Sequence, residues 1–415
     1  MKAALLIALA TVAATPLARG TGVGDGRSVS LRAQEPEGVS PDYGCTICHA
    51  DKRRAIGEGV HAVRGVLCDD CHGGDPRSVE VATAHVGDFI GPPTKIMSVG
   101  ICTRCHSDPN QMRQYGLPSD QLAELRASLH GQLLLEADNT DAPSCADCHD
   151  PHTTRPAIDV RSTVNPLNVA TTCGRCHEDE TMMGRYGLPT DQIAEHRRSQ
   201  HGVALYDHHN TAAPTCIDCH GSHAALPPAL GEITNVCGRC HVNIRRSFDL
   251  GPHGDAVRAG ALAGCTACHS NHGTERVRTE LISTTCTGCH DPESPPAAVG
   301  REIEDRMLAA ERDLAAAEQA IRELVRAGRR VETQRFGYQT AVTDYRQIAH
   351  AQHALDLTTL EDLSRRVGSI SREIRATEEA TAEERWEHKL LLIPIWFLAL
   401  SVVVLAWMRV RRTDA

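Results

Sequence analysis

The sequence predicts a largely helical fold without a conventional hydrophobic core: short helices and loops, then a helical hairpin and one transmembrane helix. Three observations predict this. The unit Cys-x-x-Cys-His occurs nine times between Cys45 and His290, only 3% of the 415 residues are aromatic, and cysteine is absent after residue 289, where Ala, Glu, Arg and Leu dominate. Since aromatic side chains normally supply much of a large core, bound groups are expected to fill the cysteine-rich part.

The nine units use all 18 cysteines and leave none for a disulfide or a nucleophile. Two thiols at this spacing each add across a vinyl group of one haem, and the following His offers its imidazole to the iron, which is the pattern of c-type haem attachment. Zinc ribbons use Cys pairs two at a time, and nine is odd; redox dithiols need no His after the second Cys. We therefore expect nine covalently bound haem c groups and folding that depends on them. The units are Cys45/Cys48/His49, Cys68/Cys71/His72, Cys102/Cys105/His106, Cys145/Cys148/His149, Cys173/Cys176/His177, Cys216/Cys219/His220, Cys237/Cys240/His241, Cys265/Cys268/His269 and Cys286/Cys289/His290.

An internal repeat runs through the cysteine-rich part. Residues 102–152 align with residues 173–223 without a gap, every position shifting by 71. Residues 44–295 are therefore predicted to form a nonahaem domain of two-haem modules. The other copies are a shorter one from Cys237 to His272, a degenerate one from Cys45 to about His85, and a half copy at residues 286–290.

Eight further histidines recur at comparable places in these copies. Some lie in Ser-x-His-Gly or a similar turn before the second unit of a module, and others lie three residues beyond a motif histidine or at the matching point. A lone histidine is more often a surface residue than a ligand, but this recurrence favours a role as the second axial ligand of a haem. The eight are His61, His85, His130, His152, His201, His223, His253 and His272.

Nine haems need nine second ligands, and the repeat offers eight. The unmatched haem is expected at one end of the array, at the unit beginning with Cys45 or with Cys286. The repeat does not identify the ninth second ligand, and one alternative is that no residue occupies that position. The candidates are His196, His208, His209, His350, His353 and Met97, whose thioether would raise the potential of its haem.

The N-terminus has the features of a secretory signal peptide, predicted over residues 1–20. Lys2 precedes a short apolar stretch, and Ala14 and Ala18 offer cleavage points. An uncleaved anchor is the alternative, although the stretch is short for a bilayer span. Residues 21–43, rich in Gly, Ser and Pro, are predicted to be a flexible lead-in.

A helical hairpin is predicted over residues 299–389. Residues 307–324 and 360–374 each carry apolar side chains at three- and four-residue spacing, which indicates two helices with apolar seams. Thr358-x-x-Glu361 is a plausible capping box at the start of the second helix. The mixed charges around both seams are typical of a solvated face.

Residues 390–408 form an apolar run that, as a helix of about 28 Å, is long enough to cross a bilayer. Trp386 and Trp407 lie near its ends, as interfacial aromatics do. Three arginines in the tail, residues 409–415, predict that the tail stays in the cytoplasm and that the haem domain lies on the periplasmic or extracytoplasmic side of the inner membrane. A buried soluble helix is the alternative.

These features together resemble the membrane-anchored multihaem cytochrome c superfamily. The resemblance covers residues 44–292 by motif and implies a multihaem cytochrome c fold with haem as its core. Pentahaem nitrite reductases of that superfamily typically replace one motif His by Lys, whereas all nine units here end in His. NapC/NirT-like quinol dehydrogenases usually have an N-terminal anchor and fewer haems. Only the thioether role of each motif Cys and the axial role of each motif His carry over.

The leading functional expectation is a membrane-anchored electron carrier. Two imidazoles on each iron block substrate binding and favour low potentials, which suits transfer between a membrane quinol-linked donor and periplasmic or terminal redox partners in anaerobic respiration. The alternative is an enzyme acting on a small nitrogen or sulfur compound, of the nitrite, hydroxylamine or tetrathionate type, at a haem without a second ligand. A third hypothesis is an anchored subunit of a larger complex. His388 and Lys389 are expected to anchor the helix at the interface rather than bind quinol, and no basic cluster with interleaved aromatics indicates nucleic-acid binding.

Overall fold

The computed structural model describes residues 39–40, 42–275 and 278–413. The predicted signal peptide and most of the lead-in fall outside these residues. The described residues are mostly helical and include no strand, which confirms the largely helical class.

The cysteine-rich part consists of short helices, of which the longest have twelve residues. Four 3-10 turns and two π-helical turns lie between them. The helices are α1 (Gly44–Cys48), α2 (Ala50–Gly57), α3 (Val60–Val63), α4 (Cys68–His72), α5 (Val81–Ala84), α6 (Lys95–His106), α7 (Pro109–Met112), α8 (Gln121–Ala127), α9 (Leu129–Gly131), α10 (Cys145–His149), α11 (Pro166–His177), α12 (Glu180–Gly184), α13 (Gln192–Arg198), α14 (Gln200–Gly202), α15 (Cys216–His220), α16 (Ile233–Gly238), α17 (Val242–Leu250), α18 (Pro252–Arg258) and α19 (Ile282–Thr287). The 3-10 turns are Arg113–Tyr115, Leu230–Glu232, Gly264–Ala267 and Thr279–Leu281, and the π turns are Gln132–Glu136 and Val203–Asp207.

The two aligned copies adopt the same local structure. Helices α6, α8, α9 and α10 of the first copy recur as α11, α13, α14 and α15 of the second, with every bound shifted by 71, and the π turns recur in the same way. In each copy, the first Cys-x-x-Cys-His unit ends a twelve-residue helix and the second unit forms a five-residue helix of its own.

Little apolar side-chain surface is buried in these copies. A small cluster of Val99, Leu134 and Ala142 lies in the first copy, and the matching Leu205 and Ala213 are buried in the second. The two larger hydrophobic clusters of the described residues lie in the C-terminal helices.

The C-terminal part is a three-helix bundle rather than a two-helix hairpin. It contains α20 (Pro295–Arg326), α21 (Glu332–Ala351) and α22 (Leu357–Thr413). A 3-10 turn at Gln352–Ala354 joins α21 to α22 beside the cysteine-rich part. The two predicted seams lie in its buried clusters, whereas α21 was not predicted from the sequence. The buried face of α21 includes Asp344, whose carboxylate Arg366 of α22 binds through two hydrogen bonds at 3.0 and 3.1 Å. A charged residue in the seam interrupts the apolar periodicity that predicts a helix.

The predicted capping box at Thr358 is wrong. Helix α22 begins at Leu357, and Asp356 caps it by accepting hydrogen bonds from the backbone N–H groups of Thr358 and Thr359, both at 3.1 Å. The Thr359 hydroxyl also donates to Asp356 at 2.6 Å.

Helix α22 continues without a break from the bundle into the apolar run, with Pro394 inside it. It is the one described helix long and apolar enough to cross a membrane, and none of its most apolar window is buried. The predicted transmembrane segment therefore has the form of a candidate membrane span.

Candidate haem centres

Every motif histidine faces one other histidine. The ring centroids of each pair are 6.0 to 6.3 Å apart. In chain order of the motif histidine, the pairs are His49–His85, His72–His152, His106–His61, His149–His223, His177–His130, His220–His272, His241–His201, His269–His353 and His290–His253.

This spacing fits two imidazoles on opposite sides of one iron. With a metal–imidazole bond of about 2.0 Å and roughly 1.1 Å from ring nitrogen to centroid, the two centroids lie about 6.2 Å apart. Each site supplies two protein ligands, and among the described residues no group of three or more His, Cys, Asp or Glu side chains is placed to hold a metal ion. A haem needs only two axial ligands because its macrocycle supplies the other four. The pairs therefore fit haem better than zinc, which takes four protein ligands in structural sites.

The structure brings all eight repeat-linked histidines to a motif histidine, and it differs from the sequence analysis at the ninth site. The unmatched unit was expected at the Cys45 or Cys286 end, but His49 and His290 both have partners from the eight. The unmatched histidine is His269, and it faces His353. Among the other candidates, His196 has its Nε2 at 3.0 Å from the carbonyl oxygen of Pro214, so its ring is engaged elsewhere.

The pairs join consecutive modules in both directions. Four histidines, here called forward histidines, face the first motif histidine of the next module: His61, His130, His201 and His253. Three others, the returning histidines, face the second motif histidine of the preceding module: His152, His223 and His272. His85 stays within its own module and faces His49. Two histidine pairs therefore cross each of the three boundaries between the four modules, and one pair, His253–His290, joins the last module to the half copy.

Each unit has a cysteine close to a cysteine of the next unit in the sequence. These cysteines lie close enough for the charge of one thiolate, or a hydrogen bond between a thiol and a thiolate, to change the pKa of the neighbouring cysteine. Burial, for example, raises the pKa of Cys68 to about 11, and the charge of Cys45 adds to the effect. The neighbouring pairs are Cys45–Cys68, Cys71–Cys105, Cys102–Cys145, Cys148–Cys176, Cys173–Cys216, Cys219–Cys237, Cys237–Cys265 and Cys268–Cys286.

The two cysteines of a unit differ in exposure. The first cysteine of every unit is partly buried. The second cysteine is exposed in six of the nine units. Packing of the protein therefore covers the first thiol of a unit more than the second. The six exposed residues are Cys48, Cys105, Cys219, Cys240, Cys268 and Cys289.

Two of the exposed second cysteines, Cys240 and Cys289, lie outside an α-helix. Both are exposed, and both lie just beyond a helix, because α16 ends at Gly238 and α19 ends at Thr287. In the complete copies, by contrast, the helix continues through the whole unit.

The backbone still keeps the thiols of these two units together. The N–H of Cys240 donates a hydrogen bond to the carbonyl of Cys237 at 3.3 Å, and the N–H of Cys289 donates one to the carbonyl of Cys286 at 3.2 Å. Such a turn places residues three apart on the same side of the chain. The turn therefore presents both thiols of each of these units to the same side.

The Ser-x-His-Gly turn places the forward histidine by local backbone chemistry. Ser199 is buried, accepts a hydrogen bond from the Gly202 N–H at 3.0 Å and donates one to the carbonyl of His196 at 2.7 Å. A Cβ on Gly202 would lie 2.0 Å from that carbonyl oxygen, so only glycine fits there. Ser128 and Gly131 repeat this arrangement in the first copy. The turn holds His201 and His130 at the same place in each module.

The second unit of each complete copy is held by a capping box. The carboxylate of Asp147 accepts a hydrogen bond from the Ser144 N–H at 2.7 Å, and Asp218 accepts one from the Thr215 N–H at the same distance. This pattern satisfies backbone donors at the start of α10 and α15. It thereby fixes the first turn, which carries both thiols.

The other ring nitrogen of several paired histidines has a fixed partner. The Nδ1 atoms of His72, His220 and His353 lie 2.8, 3.2 and 2.8 Å from backbone carbonyl oxygens of Gly91, Leu226 and Ala349. An Nδ1–H that donates to a carbonyl leaves Nε2 free of a proton and ready to bind a metal.

Burial also favours the neutral imidazole, which is the form that binds iron. It lowers the pKa of eleven of the paired histidines, because the charged form loses its hydration. The eleven are His61, His106, His130, His149, His152, His177, His201, His253, His269, His272 and His353.

Three arginines that the sequence analysis did not single out connect the modules. Arg104, Arg175 and Arg239 each donate a hydrogen bond to the backbone carbonyl of an aspartate in the preceding unit, at 3.0, 3.1 and 3.3 Å. These carbonyls belong to Asp70, Asp147 and Asp218. The signal in the sequence is the form Cys-x-Arg-Cys-His, which recurs in the first unit of three modules.

Residues 101–178 match the family model of cytochrome c554 and c-prime. This match supports a c-type cytochrome. The matched stretch contains three complete Cys-x-x-Cys-His units, at Cys102, Cys145 and Cys173. A c-type cytochrome carries covalently bound haem c and transfers electrons, and its haem domain lies outside the cytoplasm. The comparison with curated proteins gives no match, and neither does the comparison with solved structures.

Proposed function

We propose that this c-type cytochrome is a membrane-anchored nonahaem electron carrier. One observation carries the proposal: each of the nine motif histidines faces a second histidine at the spacing of two axial ligands on one iron. Bound haem supplies one-electron chemistry at its iron. The protein supplies two imidazoles for each iron, and imidazole ligation favours a lower potential than methionine ligation.

Pairing at all nine units favours a carrier over an enzyme. Reduction or oxidation of nitrite, hydroxylamine or tetrathionate at iron requires an open axial position. At both ends of the array the motif histidine has a partner, His85 at the Cys45 unit and His253 at the Cys286 unit. The pairing at both ends supports the carrier over the enzyme.

The linear order of the units supports a single path along the array. Cysteines of every two consecutive units lie within reach of each other. On this path the first and last units in the sequence would be the two ends, and each end is a place where a redox partner would meet the array.

The anchor supports a donor that is a separate complex. Helix α22 begins just after His353, and the apolar run begins 33 residues further on, so the helix separates that site from the bilayer by about 50 Å. A quinol bound near His388 would lie at the far end of this helix. We therefore infer that a quinol-linked membrane complex and a periplasmic or terminal redox protein exchange electrons with the array in anaerobic respiration, on the outer side of the inner membrane.

The proposal is tested on the full-length protein purified from membranes in detergent. Haem is quantified per chain, and low-temperature EPR spectra are recorded on the oxidised sample. We expect nine haems per chain, all low-spin. A stoichiometric high-spin signal that shifts with nitrite, hydroxylamine or cyanide would instead support the enzyme. A count well below nine in matured protein would reject the assignment of every unit as a haem site.

A further inference from the structure

We propose that His353, from the membrane-anchored bundle, is the second axial ligand of the haem at Cys265 and Cys268. The bundle thereby supplies the histidine that another half module would supply if the repeat continued beyond its last cysteine. This inference rests on the proposed function, since it assumes that the Cys265 unit holds haem.

The geometry at this site matches that of the eight pairs within the array. The rings of His269 and His353 have centroids 6.2 Å apart and planes inclined by 23°. The Nδ1 of His353 lies 2.8 Å from the carbonyl oxygen of Ala349 in the same helical turn. This hydrogen bond orients the ring and leaves Nε2 for iron.

The repeat explains why a ligand must come from outside it. In each complete module, the second motif histidine receives a returning histidine from the next module. The Cys265 unit is the second unit of its module, but only a half copy at residues 286–290 follows it. No second unit follows the half copy, so the repeat supplies no returning histidine. Repeat proteins generally close such an end with an atypical cap.

The turn that carries His353 packs closely against the end of α17. Gly251, at the end of α17, lies so close that a Cβ would be 3.1 Å from the carbonyl oxygens of both His353 and Ala354. Leu355 ends the turn in a left-handed conformation with φ of 56°, and Asp356 then caps α22. The position of His353 is therefore set by backbone packing on both sides.

The neighbouring His350 is the natural competitor, because it lies three residues earlier on the same helical face. In the structure, the ring that meets His269 belongs to His353. His350 therefore provides the matched control.

The experiment uses full-length protein in detergent, with the variants His353→Ala, His353→Met and His350→Ala. Haem count, low-temperature EPR and a potentiometric titration are measured for each. We expect His353→Ala to keep nine haems and to convert one of them to high-spin, and added imidazole to return it to low-spin. His350→Ala should stay fully low-spin. His353→Met should raise the potential of a single haem, because a thioether favours the ferrous state.

An all-low-spin His353→Ala spectrum with nine haems would overturn this inference and leave the proposed function standing. A high-spin haem in His350→Ala would overturn it as well. If His353→Ala does not accumulate, His353→Met decides: potentials identical to those of the wild type would reject the ligand. A wild-type count below nine, in contrast, would count against the proposed function itself.

Discussion

Arg155 of the module that begins at Cys102 donates a hydrogen bond to Glu58 of the preceding module at 2.5 Å. The Arg155 side chain is only 9% exposed, and it also lies 3.5 Å from Asp159. The nearly buried guanidinium of Arg155 thus pairs with one carboxylate from each of two modules. It reinforces a boundary that two histidine pairs already cross.

Replacing Arg155 by Ala should lower stability, because Asp159 and Glu58 lose a shared partner and the modules lose a contact. We expect a loss of about 1–3 kcal/mol, typical of hydrogen bonds to charged groups. Arg161→Ala is the control, since Arg161 binds the same Asp159 at 2.8 Å but is 64% exposed; it should change stability by no more than about 0.5 kcal/mol. Denaturant midpoints of both variants measure the difference. Equal shifts would contradict a special role for the buried arginine.

Gly202→Ala should displace the turn that carries His201. The new Cβ would meet the carbonyl oxygen of His196 at 2.0 Å, so the backbone must move, at a cost of about 1–3 kcal/mol. We expect a lower thermal midpoint and a high-spin fraction at the haem of the Cys237 unit, read by EPR. Gly184→Ala is the control, because nothing lies within 4 Å of its added Cβ. An unperturbed spectrum for Gly202→Ala would show that the turn does not position the ligand.

Asp356→Ala should weaken the bundle in a pH-dependent way. Hydrogen bonds from Thr359 lower the pKa of the Asp356 carboxyl below its ordinary value, so the cap stabilises the protein at pH values above the unfolded-state pKa, and this contribution is lost as the pH falls through the lower folded-state pKa. At neutral pH we expect a loss of about 1 kcal/mol, as for other N-caps.

The difference between Asp356→Ala and the wild type should shrink towards acidic pH, in denaturation curves recorded at several pH values. Asp362→Ala, on the exposed face of α22, is the control. A constant difference at all pH values would mean that the charge of Asp356 does not contribute.

Ending the chain after Lys389 should release the protein from membranes without loss of haem. The deleted residues contain the candidate span, whereas the bundle contacts end before it. Fractionation followed by haem staining of the soluble and membrane pools measures the outcome. Ser401→Ala, within the span, should stay in the membrane pool. A truncated protein that still sediments with membranes would place the anchor elsewhere.

Much of the candidate site can be predicted from short stretches of the sequence. A thioether-linked haem needs two thiols and an imidazole at fixed short spacing, so each Cys-x-x-Cys-His unit is recognisable by itself. The internal repeat, with its shorter and degenerate copies, adds the eight histidines, because one module fold places the same residues alike. The apolar run in α22 is equally local, since a bilayer span depends on length and composition.

The tertiary structure determines which two histidine rings face each other. Local turns such as Ser199–Gly202 position a ligand, but its partner lies in another module, and nothing in the spacing names it. Helix α21 was not predicted because Asp344 interrupts the apolar pattern of its buried face. The Arg366 side chain that binds the Asp344 carboxylate lies on a different helix. The same holds for His353: a single histidine without a repeat counterpart becomes distinctive only when packing of α17 against the bundle turn brings it to His269. Sequence alone therefore determined the nine Cys-x-x-Cys-His units and the apolar run, because both depend on neighbouring residues; long-range packing determined which histidines face each other, including the partner of His269.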